Sequence, residues 1–311
     1  MDIRLPPLTR YDDVDAARPR IEACLAAHAF APEHTYECFR YQAGKDDQPV
    51  FFESPEGYGV LAYVSAKRRE WEVFAEPLAP REARGALVAA VCVRAFSDER
   101  PVSLVSLELT TPTRTALIAA LPEGLRARRA AATYEWPILD LAAYDPTVPG
   151  GRCKPLRNAR SRFLREHAFE VVDAAGVPAK ALHRVVDAWE QERSALDQAH
   201  KEQYHRLIDA QFAGTTGGHA CLVDGVPEGL FAGWQVPGAD AFYPYILLHS
   251  YAHWGLGELV MLEALRTMKE DGYRFAELGG SDRPLLAFKK KFGPLRSYEV
   301  RWFSVSRREA E

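Results

Sequence analysis

The sequence predicts a mixed α/β protein, helices with mixed sheets, built from two copies of one unit. Three observations predict it. Each half runs through helical material, about three strands, a helix, a strand, a helix and a strand. A stretch rich in Pro and Gly, AYDPTVPGG at 143–151, breaks regular structure between the halves. A hydrophobic share of 47% beside 26% charged residues is that of a globular chain with room for two cores. The residues of the halves match poorly, so the duplication is read from element order. The expected domains are 1–148 and 149–311.

In the first half, apolar positions Val14, Ala17, Ile21, Leu25 and Ala29 give a helical period over 13–29, after Asp12 and Asp13 as caps. Strand-like runs follow at 36–41, 49–53, 57–65 and 70–74. A helix is expected over 81–96, a β-rich run over 102–109, a helix opening on Pro112 over 112–121 and a strand over 133–141. The second half opens with a basic segment, 152–165, then a β-like run at 169–172 and helices over 178–194 and 199–212. Strands are expected at 220–223, 229–236, 241–249 and 297–305.

A net charge of -4 argues against binding nucleic acid over the whole surface and leaves room for a local basic patch. Cys24, Cys38, Cys92, Cys153 and Cys221 are odd in number and scattered, without CxxC or Cys/His ligand spacing, so neither a disulfide framework nor a metal site is expected. The N-terminus lacks the apolar core of a signal peptide, and Arg94 interrupts the most apolar helix well short of a membrane span. The expected location is the cytoplasm.

The informative stretch is 245–293. Pro244, in the strand before it, lacks an N–H donor, which suits either an edge strand or one that splays to face a ligand. Gly255 and Gly257 precede a helix with Met261, Leu262, Leu265 and Met268 on one face, so its unpaired N–H groups suit an anion. Glu258 in the first turn offers the alternative of satisfying the helix dipole. Next come Gly279, Gly280, Ser281 and Asp282 at a strand end, with Asp282 either orienting an ammonium group or capping the following helix. Phe288 and Phe292 bracket Lys289, Lys290 and Lys291, of which at least one, Lys290, is expected to be solvated. His249 and His253 are candidate bases or core histidines, and Trp234, Tyr243, Tyr245 and Trp254 are candidate pocket or packing aromatics. The basic segment carries six Lys or Arg residues, with Lys154, Arg157, Arg160 and Arg162 suited to phosphates or anionic head groups. There is no Ser-His-Asp pattern, P-loop or dinucleotide fingerprint.

The strand, glycine turn and helix resemble the second half of the GNAT acetyltransferase fold, whose turn reads Q/R-x-x-G-x-G/A. The matching residues here are Ala252, His253, Trp254, Gly255, Leu256 and Gly257, with Ala252 where Gln or Arg is usual. Lys289 stands where many of those enzymes carry a Tyr general acid, four residues before Gly293. GGSD followed by FKKKFGP, with AEPLAP at 75–80 and KPLRNARSRFLRE at 154–166, is similar to the C-terminal domain of lysylphosphatidylglycerol synthases and, more distantly, to the Fem peptidyltransferases. The resemblance implies two tandem GNAT-like domains and an aminoacyltransferase that uses aminoacyl-tRNA as co-substrate, without a further cofactor. The acceptor it implies is an amine or hydroxyl on a small molecule, peptide or lipid head group. Lys289 is then the expected electrostatic stabiliser, with Asp282 and His249 as further catalytic candidates. Gly255, Gly257, Gly279, Gly280, Ser281, Tyr245, Trp254 and Lys291 become candidate substrate contacts, and Lys154, Arg157, Arg160 and Arg162 candidate tRNA contacts. An acyl-CoA-dependent N-acyltransferase and a non-catalytic RNA- or protein-binding member of the fold are the alternatives.

Overall fold

A computed structural model of the protein describes residues 5–98, 102–192, 201–293 and 295–308. The chain forms two compact units, Met1–Glu135 with Tyr298–Glu311, and Trp136–Ser297. Unit 1 runs through β1 (Thr9–Tyr11), α1 (Arg18–His28), α2 (Tyr36–Gln42), β2 (Asp47–Glu53), β3 (Gly59–Ser65), β4 (Glu70–Val73), α3 (Arg81–Phe96), β5 (Leu104–Thr110), α4 (Thr111–Ala120) and β6 (Leu125–Ala127). The chain passes into unit 2 within β7 (Ala132–Asp140). Unit 2 holds α5 (Lys154–Glu166), β8 (Phe169–Asp173), α6 (Ala179–Gln191), α7 (Glu202–Asp209), β9 (Gly217–Val223), β10 (Val226–Gln235), β11 (Ala241–His249), α8 (Leu256–Glu270), β12 (Phe275–Glu277) and α9 (Arg283–Lys289). The chain returns to unit 1 within β13 (Leu295–Arg307). The expected helices over 178–194 and 199–212 lie in part outside the described residues.

The strands of the two units repeat one pattern. In unit 1, β2, β3 and β4 are antiparallel, β4 and β5 are parallel across α3, and β13 closes antiparallel to β5. In unit 2, β9, β10 and β11 are antiparallel, β11 and β12 are parallel across α8, and β7 closes antiparallel to β12. A parallel pair needs a crossover, and in both units a helix supplies it. The closing strands are exchanged in sequence order: unit 1 takes its own from the end of the chain, and unit 2 takes β7, which precedes it.

This exchange places the division between Glu135 and Trp136, inside a strand, instead of in the Pro/Gly stretch at 143–151. That stretch belongs to unit 2, because Tyr144 and Val148 are buried in its core with Leu156, Phe163 and the apolar face of α8. The core of unit 1 gathers Val50, Phe52, Trp71 and Val73 from its strands against Leu87, Val88 and Val91 of α3.

One expected strand is a helix. Residues 36–41 form α2, because Thr35 caps it by accepting from the Cys38 N–H at 3.0 Å, and tertiary burial of Tyr36, Cys38, Phe39 and Tyr41 overrides a β-like composition. The AEPLAP motif has a structural task. Glu76 accepts from the Thr110 N–H at 2.6 Å and the Thr113 hydroxyl at 2.5 Å, holding the start of α4, while Leu78 exchanges backbone hydrogen bonds with Gly59. Among the described residues no helix is long and apolar enough to cross a membrane.

Strand β11 carries the splay that Pro244 suggests. The register with β10 shifts between Ala232 and Trp234, opposite Tyr243–Ile246. Gly233 makes the shift possible, since a Cβ there would collide with the Tyr243 carbonyl oxygen. Gly233→Ala is therefore expected to cost roughly 1–3 kcal/mol by overpacking, read as a lower urea midpoint with an unchanged m value.

Candidate active site

At the end of β12 the chain turns through Leu278, Gly279, Gly280 and Ser281 into α9. Gly279 has φ +74, a left-handed conformation that favours glycine, and a Cβ there would press on the Tyr243 ring at 3.3 Å. Asp282 caps α9 by accepting from the Leu285 N–H at 2.9 Å, and Arg283-Pro284 start the helix. One face of this short helix points Lys289 back into the turn that launched it.

Lys289 is 5% exposed. Its Nζ donates to the Leu278 carbonyl, to the Gly279 carbonyl at 3.2 Å and to Ser281 Oγ at 2.8 Å, so its three donors have three oxygens. Ser281 in turn donates to the Gly279 carbonyl at 3.1 Å and is itself buried. Burial pushes the Lys289 ammonium down to about 7, against the pull of the nearby Asp282 carboxylate. Gly280 and Asp282 are exposed, so the turn keeps a cation just beneath a surface formed by a bare backbone and a carboxylate.

Aromatic rings pack next to this turn. Tyr243 lies 5.9 Å from Trp136 and 5.8 Å from Trp234, and Trp234 lies 4.8 Å from Tyr245. Tyr204 of α7 meets Tyr245 at 6.0 Å, and Gln203 accepts from the Tyr245 hydroxyl at 3.3 Å. Trp136 also backs Gly280, where an added Cβ would meet its Nε1 at 3.3 Å. Trp136 and Tyr204 carry no signal in the sequence: β7 reads as the end of the first copy, and α7 carries no motif.

The glycine turn before α8 forms a second group. Gly255 has φ +84 and caps the helix. A Cβ at Gly257 would collide with His249 Nε2, so the His249 ring fills the space beside this first turn. The other nitrogen of that ring bonds the Ser250 carbonyl, and burial lowers the His249 pKa, favouring the neutral ring. Lys291 donates to Glu258 at 2.8 Å across the same turn. An imidazole and a paired carboxylate thus stand where an anion had been expected, and His249 is engaged with the start of α8.

The basic helix α5 divides in two. Arg157 donates to the carbonyls of Val148 at 2.6 Å and Gly150 at 2.7 Å, and Arg160 donates to that of Pro146 at 3.2 Å. Both pin the Pro/Gly stretch. Lys154 and Arg162 are exposed. Arg162 pairs with Glu166 at 3.0 Å and lies 5.1 Å from the Trp254 ring, which is 67% exposed and so lines no buried pocket. Among the described residues no group of three or more His, Cys, Asp or Glu has the geometry to hold a metal ion. A cavity of about 300 Å³ in unit 1, between Leu5, Pro6, Leu8 and the α3 residues Ala90, Val93 and Arg94, offers no comparable cluster of polar groups.

The profile of the family described as phosphatidylglycerol lysyltransferase, C-terminal, matches residues 29–296. No curated protein matches the chain. Among solved structures, the C-terminal domain of a protein described as a lysylphosphatidylglycerol synthetase from Agrobacterium fabrum superposes with a TM-score of 0.64 at 19% identity, covering 93% of this chain and 91% of that one. A tandem GNAT protein from the clavulanic acid biosynthesis pathway gives 0.61 at 15% identity, covering 98% and 100%. FemX gives 0.59 at 11%, covering 94% and 96%. At these identities the likeness establishes the fold, two tandem GNAT-like units. Gly279→Ala, which forces a side chain into the left-handed region against Tyr243, is expected to lower stability by about 1–3 kcal/mol, measured by urea unfolding.

Proposed function

This chain belongs to the phosphatidylglycerol lysyltransferase C-terminal family of transferases, and we propose that it moves an aminoacyl group from the ester of an aminoacyl-tRNA to an amine or hydroxyl acceptor. The observation that carries this reading is Lys289, a cation held under the Gly279-Gly280-Ser281 turn by two backbone carbonyls and one hydroxyl.

The chemistry asks little of the protein, because the donor ester is already activated. The acceptor nitrogen or oxygen attacks the aminoacyl carbonyl, the carbonyl oxygen gains negative charge, the bond to the ribose oxygen breaks, and the acceptor's proton ends on that oxygen. Positioning and a charge near the developing oxyanion supply most of the acceleration. In this reading Lys289 supplies the charge. Ser281, which accepts from Lys289 and donates to the Gly279 carbonyl, holds the ammonium in place beneath the exposed Gly280 backbone. Asp282, exposed beside it, takes the ammonium group of the donor's amino acid, and Lys154 takes a phosphate. Arg157 and Arg160 act indirectly, by fixing the Pro/Gly stretch beneath α5.

Transfer from acyl-CoA is the less favoured reading, since the first turn of α8 is filled by the His249 ring and bordered by the Glu258–Lys291 pair. Calorimetric titration with acetyl-CoA separates the two: no saturable heat is expected, and clear binding would favour the CoA donor.

With charged tRNA and cell extract as a source of acceptors, Lys289→Ala is expected to lose about 10²-fold or more of the transfer rate, and the variant's full activity would remove the central assignment. The wild-type rate is expected to fall on the alkaline side of its pH profile with an apparent pKa of about 7, as the ammonium loses its proton.

A further inference from the structure

Trp254 is the most exposed large hydrophobic side chain among the described residues, and its exposure is built. The turn that carries it is pinned on both sides. His253 meets His167 at 4.6 Å and Phe163 at 6.2 Å, and Phe163 is fully buried. Gly255, in its left-handed conformation, sits on α5 with its Cβ position 3.8 Å from the Ala159 side chain. His167 is tied to Asp224 at 2.8 Å, which also accepts from the Ala168 N–H, so the end of α5 and the β9–β10 turn brace the same point. A ring presented to water on a fixed mount keeps little conformational freedom to lose on binding. The Arg162 guanidinium, 5.1 Å from the ring centroid, is positioned by Glu166 at 3.0 Å.

From this arrangement we infer that Trp254 and Arg162 form a stacking platform for an unpaired base at the 3′ end of the tRNA substrate. The inference rests on the aminoacyl-tRNA reading above and adds to it the element that receives the tRNA terminus. An indole this exposed, with a guanidinium over its ring, stacks on any base, while a base within a duplex has no free face to offer. The platform lies directly before Gly255 and α8, on the chain that leaves β11, and the exposed Lys154 on α5 adds a cation for the neighbouring backbone. The observations favour RNA over an anionic bilayer, because the guanidinium on the ring is paired with Glu166 and the mount carries the half-exposed Asp224, and laying that surface on a bilayer would bring both carboxylates toward anionic head groups.

The test is equilibrium binding of one uncharged tRNA, intact or trimmed of its unpaired 3′ nucleotides, at several salt concentrations. Trp254→Ala is expected to weaken binding of intact tRNA about 10-fold, with the salt slope unchanged, and Trp254→Phe to restore most of it. Lys154→Ala should instead reduce the salt slope by about one. Wild-type protein should bind trimmed tRNA as weakly as Trp254→Ala binds intact tRNA. Unfolding midpoints measured alongside identify any variant that fails to fold, and Trp254→Phe keeps the comparison available in that case. Equal affinity of wild type and Trp254→Ala for intact tRNA would overturn the inference. So would flotation with phosphatidylglycerol vesicles that depends on Trp254 while tRNA binding does not. If Trp254-dependent binding is found and no charged tRNA acts as donor, the transfer reading fails and the platform stands. If transfer occurs and Trp254→Ala leaves its KM unchanged, the platform fails alone.

Discussion

The turn after β12 and the helix α9 are built around keeping the Lys289 ammonium out of water. Removing such a group from water costs several kcal/mol unless fixed oxygens replace its hydration. Three oxygens do so here, two of them backbone carbonyls that a β strand would have spent on pairing. They are available because Gly279 takes a left-handed conformation and the chain leaves the sheet there. Asp282 then starts α9, and that seven-residue helix returns Lys289 to the turn. The glycines, the cap and the lysine form one closed device, and Tyr243 and Trp136 pack beside Gly279 and Gly280.

The duplication explains why this device occurs once. In unit 1 the crossover helix α3 begins after Pro80, which has no N–H, and the preceding Glu76 is committed to the start of α4. In unit 2 the equivalent helix follows Gly255 and carries Gly257 in its first turn, and the next strand leads into the Gly279-Gly280-Ser281 turn. Unit 1 preserves the architecture and has spent the corresponding positions on structure. The exchanged closing strands, β7 and β13, put Trp136 of the sequence's first half into the site of the second.

Much of this was legible in the residues and some was not. The order of elements in unit 2 and the Gly255 cap follow from local rules of period and glycine, so the sequence carried them. Pro244 suited an edge strand as well as a splay, and only the pairing of β11 decides between them. Lys289 could be picked by position, but three adjacent lysines look alike until the helix phase shows which one is buried. Arg157 and Arg160 looked like phosphate ligands because charge is visible in sequence, whereas the carbonyls of Pro146, Val148 and Gly150 that take them are not. The same stretch reads as a linker from its composition and is held in the core by Tyr144 and Val148. Residues 36–41 read as a strand because propensity is weaker than a capping Thr35 and tertiary burial.

The most direct measurement is the titration of Lys289 itself, followed by NMR of lysine labelled at Cε and assigned with Lys289→Arg. A titration midpoint of about 7 is expected, set by burial within the carbonyl cradle. A midpoint near the ordinary lysine value of about 10.4 would mean that the ammonium is hydrated, and would contradict the account of a buried charge poised under the turn.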